Sequence, residues 1–140
     1  MFLKNTSLIA WFGRIALFTV YFWFGILKTL DLSPANPLIR ELLTNTIPFW
    51  SFGSFITFFG YIEMLIGISF LWPRLIKISS ILTFIHLITT VLPLILLPSI
   101  AWQASFIPTI EGQYIIKNLL IVSTILFLLG DRERAKRLPI

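Results

Sequence analysis

Four separate runs of apolar residues dominate this sequence, each long enough to cross a bilayer. The hydrocarbon core is roughly 30 Å thick, and about 20 apolar residues in a helix span it. The runs extend from about Leu8 to Leu30, Pro48 to Trp72, Ile78 to Leu97 and Gln113 to Leu129. Breakers or charges bound each one. Asp31, Ser33 and Pro34 end the first, and Pro48 opens the second in a position that proline tolerates. Trp72, Pro73 and Arg74 close the second; Pro93 and Pro98 predict a kink or early stop in the third. Gly130 reads as a glycine cap on the fourth. The runs do not alternate and are too long for strands. Lipid admits only helices or closed barrels, and four spans cannot close a barrel.

Composition agrees. Of 140 residues, 57% are hydrophobic and 12% charged, against about 25% charged in an ordinary soluble domain. A soluble domain this small buries only about two-thirds of its unfolded surface, too little to hide so much apolar area. The expected fold is an all-α integral membrane protein. It is one domain, residues 1–140, with four transmembrane helices in an antiparallel bundle.

Basic residues give the direction. With the N-terminus inside, the inner side holds Lys4, Arg14, Arg74, Lys77, Arg132, Arg134, Lys136 and Arg137, and the outer side Lys28, Arg40 and Lys117. Both termini are therefore expected on the cytoplasmic side. Trp11 and Trp72 then mark the inner interface and Trp50 and Trp102 the outer one, while Trp23 lies within its span. The first span is expected to stay in the protein, because it carries Arg14 and Lys28 and lacks a small-residue cleavage site. Residues 131–140 read as a basic cytoplasmic tail facing anionic lipid rather than nucleic acid.

Elaboration falls on the outer side. The loop from Asp31 to Ile47 holds a candidate amphipathic helix, Leu38 to Leu43, started by Pro37. The loop from Pro98 to Gly112 carries Trp102, Phe106, Pro108 and Glu111. Long loops tend to carry function.

Polar residues inside the spans are costly in lipid and need partners. Arg14, Tyr21, Gly25 and Lys28 share one face of the first span. Gly53, Gly60 and Gly67 recur along the second with Glu63 among them, so Glu63 faces a neighbouring helix. Ser79, Thr83, His86, Thr90 and Pro93 share a face of the third, and Gln113, Lys117 and Thr124 a face of the fourth. Counting roughly 1.5 Å per residue puts Arg14, Glu63 and His86 all about 9–14 Å from the inner interface. The expected layer is an Arg14–Glu63 ion pair with His86 beside it. A structural pair that sets helix register fits the sequence as well as a functional one. Lys28, Glu111, Lys117 and Asn118 form a separate outer layer, in which the lysines either snorkel or bind a ligand.

One His and no Cys leave no metal set, no thiol chemistry and no haem ligation. No hydrolase triad, phosphate loop or dinucleotide fingerprint occurs. Catalytic residues are not readable.

Three motifs, in order along nearly the whole chain, resemble the DoxX-like family of small four-span bacterial membrane proteins. The first span ends Phe22-Trp23-Phe24-Gly25-Ile26-Leu27-Lys28, like that family's aromatic-rich G-x-x-K. Gly60 to Gly67, with Glu63, resembles its G-x-x-E-x-x-x-G. Lys117-Asn118 resembles the opening of its fourth span. The resemblance implies a link to membrane oxidoreductases.

Three functions are compatible with these features. One is an outward-facing intrabilayer pocket for a small lipophilic molecule, quinone first, lined by Lys28, Lys117, Asn118, Glu111, Tyr21 and Trp102. Another is a non-catalytic subunit whose outer loops dock a soluble oxidoreductase. The last is a small homo-oligomeric, proton-linked carrier gated by Arg14, Glu63 and His86.

Overall fold

A computed structural model describes the backbone of residues 2–137 and the side chains of residues 8–137. The side chain of Lys4 and residues 138–140 of the expected tail lie outside the described residues. The chain is nearly all helical, and four of its helical stretches are long and apolar enough to cross a membrane.

Helix α1 (Phe2–Thr29) carries the first span. It ends where Asp31 turns left-handed, at φ 55°. The N–H of Leu32 then bonds Leu27 O at 2.8 Å and that of Asp31 bonds Lys28 O at 3.0 Å, closing the last carbonyls. Glycine usually fills such a position. Here the Asp31 carboxylate accepts a bond from Asn36 Nδ2 at 2.6 Å, which ties the turn to the next helix. That helix, α2 (Asn36–Thr46), is longer than the expected Leu38–Leu43; Pro37 sits in its first turn and Leu43 is buried. Helix α3 (Phe52–Phe70) starts four residues after Pro48, which belongs to the preceding turn.

A 3-10 turn (Pro73–Leu75) leads into α4 (Ile76–Val91). The helix is interrupted at Leu92 and resumes as α5 (Pro93–Leu96), because proline has no N–H to offer the preceding turn. The short α6 (Pro98–Ala101) follows. The second long loop then forms a small antiparallel hairpin, β1 (Trp102–Ala104) with β2 (Ile107–Pro108), an exception to the all-α expectation. Phe106 at its tip is left-handed, at φ 59°, and 93% exposed.

The fourth span begins at α7 (Ile110–Lys117), capped by Thr109, whose hydroxyl accepts from Gly112 N at 3.1 Å. Asn118 breaks the helix, and α8 (Leu119–Arg137) completes the span. Gly130 does not cap it: the helix runs through Gly130, and the residues read as a tail are helical to Arg137. Basic residues in that last turn suit the negative end of the helix dipole, and Lys136 donates to Glu133 at 3.0 Å.

Helix α1 packs along α3 over most of its length, and α8 contacts both α1 and α4, while α4 also meets α3. The α1–α3 seam is set by glycine. A Cβ on Gly25 would lie 2.6 Å from Gly60 O, and one on Gly60 would lie 2.6 Å from Gly25 O. A Cβ on Gly67 would come 2.9 Å from Phe22 N. The two backbones therefore touch, which apolar helices in lipid use for van der Waals association. Gly53, expected in the same stripe, has nothing within 4 Å, because it lies in the first turn of α3 beyond the contact. The core gathers Leu17, Tyr21, Ile66, Phe70, Ile125 and Leu128. Around it the outer surface is apolar, with Phe12, Leu65, Ile88 and Leu120 exposed, while Arg14, Lys28, Glu63, Thr83 and His86 are buried. Polar groups inside and hydrocarbon outside is the pattern of a chain whose solvent is lipid.

Gly60→Ala is expected to lower stability in detergent micelles by about 1–3 kcal/mol through overpacking. Gly53→Ala should be neutral or slightly stabilising. Paired thermal or denaturant unfolding curves distinguish the two.

Candidate functional site

The glycine seam fixes the level of every polar group on α1 and α3. Gly25 faces Gly60, and Gly67 faces Phe18 and Phe22. Glu63, one turn beyond Gly60, therefore points at α1 above Phe22, within reach of Lys28. Tyr21 and Lys28 are seven residues apart and share the α1 face that looks inward. On α4, Ser79, Thr83 and His86 bring a hydroxyl-and-imidazole stripe to the same interior.

Glu63 is the centre. Lys28 Nζ donates to both of its carboxylate oxygens, at 2.6 Å and 2.8 Å. His86 Nε2 lies 2.8 Å from Glu63 Oε1. With Nε2–H given to the carboxylate, Nδ1 accepts from the Tyr21 hydroxyl, 3.5 Å away. Four side chains from three helices thus form one line, Tyr21–His86–Glu63–Lys28. Lys28 is 6% exposed and Glu63 4%, so neither reaches bulk solvent. The Phe59 ring stacks on the imidazole at 5.0 Å, and Tyr21 meets it edge-on at 5.3 Å. Fully buried Thr83 has an Oγ1 with no hydrogen-bond partner among the described residues.

This arrangement corrects the expected Arg14–Glu63 pair. Arg14 lies opposite Phe70, the last residue of α3, and donates to its carbonyl at 3.2 Å. Glu63 is seven residues up α3, about 10 Å of helix away. Counting depth from Trp72 and Leu8 placed the two groups level. The helix actually ends at Phe70, and the Gly25–Gly60 contact sets the register. Lys28 does not snorkel; its ammonium turns inward to the carboxylate.

The six residues expected to line one outer pocket do not converge. Lys28 and Tyr21 belong to the buried line. Asn118 donates to Thr90 Oγ1 at 3.3 Å, bracing α7–α8 on α4. Trp102 Nε1 donates to Leu94 O at 2.9 Å, pinning the hairpin on α5. Lys117 is exposed over the Tyr114 ring, 5.1 Å from its centre, and Glu111 is exposed. Gln113 is exposed as well, so the polar face of the fourth span does not turn wholly inward. Two shallow grooves open on the surface. One, about 330 Å³, is wholly apolar and follows α4 and α5 from Phe84 to Ile95, with Val122 across it. The other, about 360 Å³, lies between Pro98, Trp102 and Phe106. Among the described residues no three His, Asp or Glu side chains gather as a metal site.

Phe59 and the Lys28–Glu63 pairing went unnoticed in the sequence. Phe59 was findable, since it precedes Glu63 by four residues on one helix face. Gly112 was also missed as a packing residue: a Cβ there would run into Ala101 O, so the close approach of α7 to α6 requires glycine.

Compared with known proteins, the chain matches no family model, no curated protein and no solved structure.

A buried ion pair contributes little net stability, but removing one partner strands the other charge. Lys28→Met and Glu63→Gln are each expected to cost about 3–5 kcal/mol. The double variant should cost much less than their sum. A double-mutant cycle measured by unfolding in detergent tests this coupling.

Proposed function

We propose that this chain is a DoxX-like, multi-pass protein of the bacterial inner membrane, an antiparallel four-helix bundle with both termini in the cytoplasm. Its working part is the line Tyr21–His86–Glu63–Lys28, which holds and passes a proton for a redox-linked process in the bilayer. The observation that carries this reading is the Glu63 carboxylate, bound by both Lys28 and His86 among helices whose outer faces are hydrocarbon.

The chemistry follows from the hydrogen bonds. A proton arriving at His86 Nδ1 makes the ring an imidazolium. Release of the Nε2 proton to Glu63 returns the ring to neutral with its tautomer exchanged. The carboxylic acid so formed is no longer paired as an anion, and Lys28 keeps its charge to draw the next ionisation. An ion pair alone would need no imidazole or phenol in series with it. The 3.5 Å step between Tyr21 and His86 is the longest in the line.

Quinone is the lipophilic partner of this proposal: its reduction to quinol takes up two electrons, which a partner oxidoreductase would supply, and two protons, which this line would pass. The DoxX-like resemblance points to the same redox setting. It is a molecule met in the bilayer rather than one seated in a preformed pocket, because the expected donors do not converge on one groove. No metal or other cofactor is invoked.

A second reading, a subunit that docks a soluble oxidoreductase, is favoured by one observation. Phe106 stands almost fully exposed on a left-handed turn at the hairpin tip, and Phe49 is 88% exposed in the turn between α2 and α3. Exposed aromatic side chains suit an interface core.

Two measurements follow. In proteoliposomes carrying an internal pH dye, an imposed gradient should drive proton uptake that falls at least tenfold in Glu63→Gln; equal uptake in the variant overturns the proton-handling reading. For the docking reading, Phe106→Ser should release a co-purifying oxidoreductase from native membranes without altering the bundle. Retention of that partner by the variant removes it.

A further inference from the structure

At the end of the bundle opposite Lys28, roughly 21 Å away along α1, lies a second charged cluster that the proton line does not use. Arg14 is 5% exposed. Its guanidinium carries five N–H donors, and one bond is found for it among the described residues, to the Phe70 carbonyl. Arg132 stands on α8, which packs against α1. A Cβ on Gly13 would lie 3.3 Å from Thr124 and 3.6 Å from Leu128. Asp131 and Arg132 occupy the next turn of α8 beyond this contact, close enough for both charges to act on the Arg14 guanidinium. The Nη1 of Arg132 is buried and has no partner among the described residues.

The charges there do not balance. The ion pairs among the described residues are Lys28 and His86 with Glu63, and Lys77 and Lys136 with Glu133. Among the described residues no carboxylate stands within 4.0 Å of either arginine. Asp131 acts on Arg14 from farther off and offsets one of two positive charges. A guanidinium nitrogen withdrawn from water without an acceptor is expensive. An oxyanion with several acceptor oxygens would satisfy such donors, and paired guanidinium forks suit phosphate in particular.

We propose that Arg14 and Arg132 together form a binding site for a phosphate oxyanion, supplied by the headgroup of an anionic phospholipid. The lipid source is favoured by what surrounds the cluster. Leu8 and Phe12 of α1 and Phe127 of α8 are exposed apolar side chains, whereas Arg134, Lys136 and Arg137 are exposed cations one or two turns further on. Acyl chains lie along the first group and headgroups face the second. The site rests on the bilayer placement proposed above.

The test uses the full chain in nonionic detergent at 0.5 M KCl, where diffuse attraction to surface charge is screened. Phosphatidylglycerol, phosphatidylcholine and inorganic phosphate are titrated separately against binding and thermal unfolding. Phosphatidylglycerol should bind and raise the unfolding temperature more than phosphatidylcholine does. Arg132→Gln should weaken that binding about tenfold or more, as expected for a charged hydrogen bond, and Arg40→Gln, on α2 against the Phe52 ring and away from this cluster, should leave it unchanged. Circular dichroism of Arg132→Gln guards against simple misfolding. Equal binding by the wild type and Arg132→Gln, or equal loss in both variants, overturns the site. Stabilisation by inorganic phosphate with phosphatidylglycerol inert overturns the lipid source. Resistance of the chain to carbonate extraction from membranes reports on bilayer placement separately, so the two readings can fail independently.

Discussion

A carboxylate enclosed by apolar helices has to be compensated where it stands, and Glu63 is compensated twice. Lys28 cancels its charge, and His86 uses a remaining lone pair. Without both, the anion would be either protonated or expelled. The helices that carry these groups are held at one level by the backbone contact at Gly25 and Gly60. Charge and packing are thus coupled: the seam sets the distance, and the charges reward only that distance. A shift by one residue along α3 would swing Glu63 by about 100° around its helix, away from α1.

The same logic explains what could be read in advance. Hydrocarbon thickness and residue spacing gave the four spans, because lipid allows few alternatives. The stripes on the first three spans also followed from period alone, and they put Glu63, His86 and Lys28 on interior faces. Partner choice was not legible in the same way. It depends on axial register, and a two-residue error at a helix end moves a side chain by about 3 Å. Trp72 lies outside α3 and Leu8 lies inside α1, so depth counted from them went astray and joined Arg14 to the wrong acceptor. The glycines held the answer, since Gly25 and Gly60 could have been matched as facing small residues. Gly53 shows why period is not enough: it has the right spacing but lies past the point where the helices meet. Gly130 erred in the other direction, because glycine marks a helix end only where the following residues cannot continue the helix.

The bundle carries its polar groups at two separate levels. Near the Lys28 end the buried lysine and carboxylate pair with each other and are linked to an imidazole and a phenol. Near the Arg14 end, cations are in excess and a buried donor has no acceptor among the described residues. The first arrangement suits movement of a proton within the protein. The second suits a fixed contact with something outside it.

The helix interruptions at Leu92 and Asn118 occur in neighbouring helices that the Asn118–Thr90 bond joins. Trp102 grips Leu94 from the hairpin, and Thr90 lies one turn from His86. The hairpin, α5 and the two broken helix ends are thus tied by side-chain hydrogen bonds to the turn of α4 that follows His86. The exposed Phe106 tip and the imidazole that Glu63 holds belong to one continuous chain of contacts rather than to separate parts of the molecule.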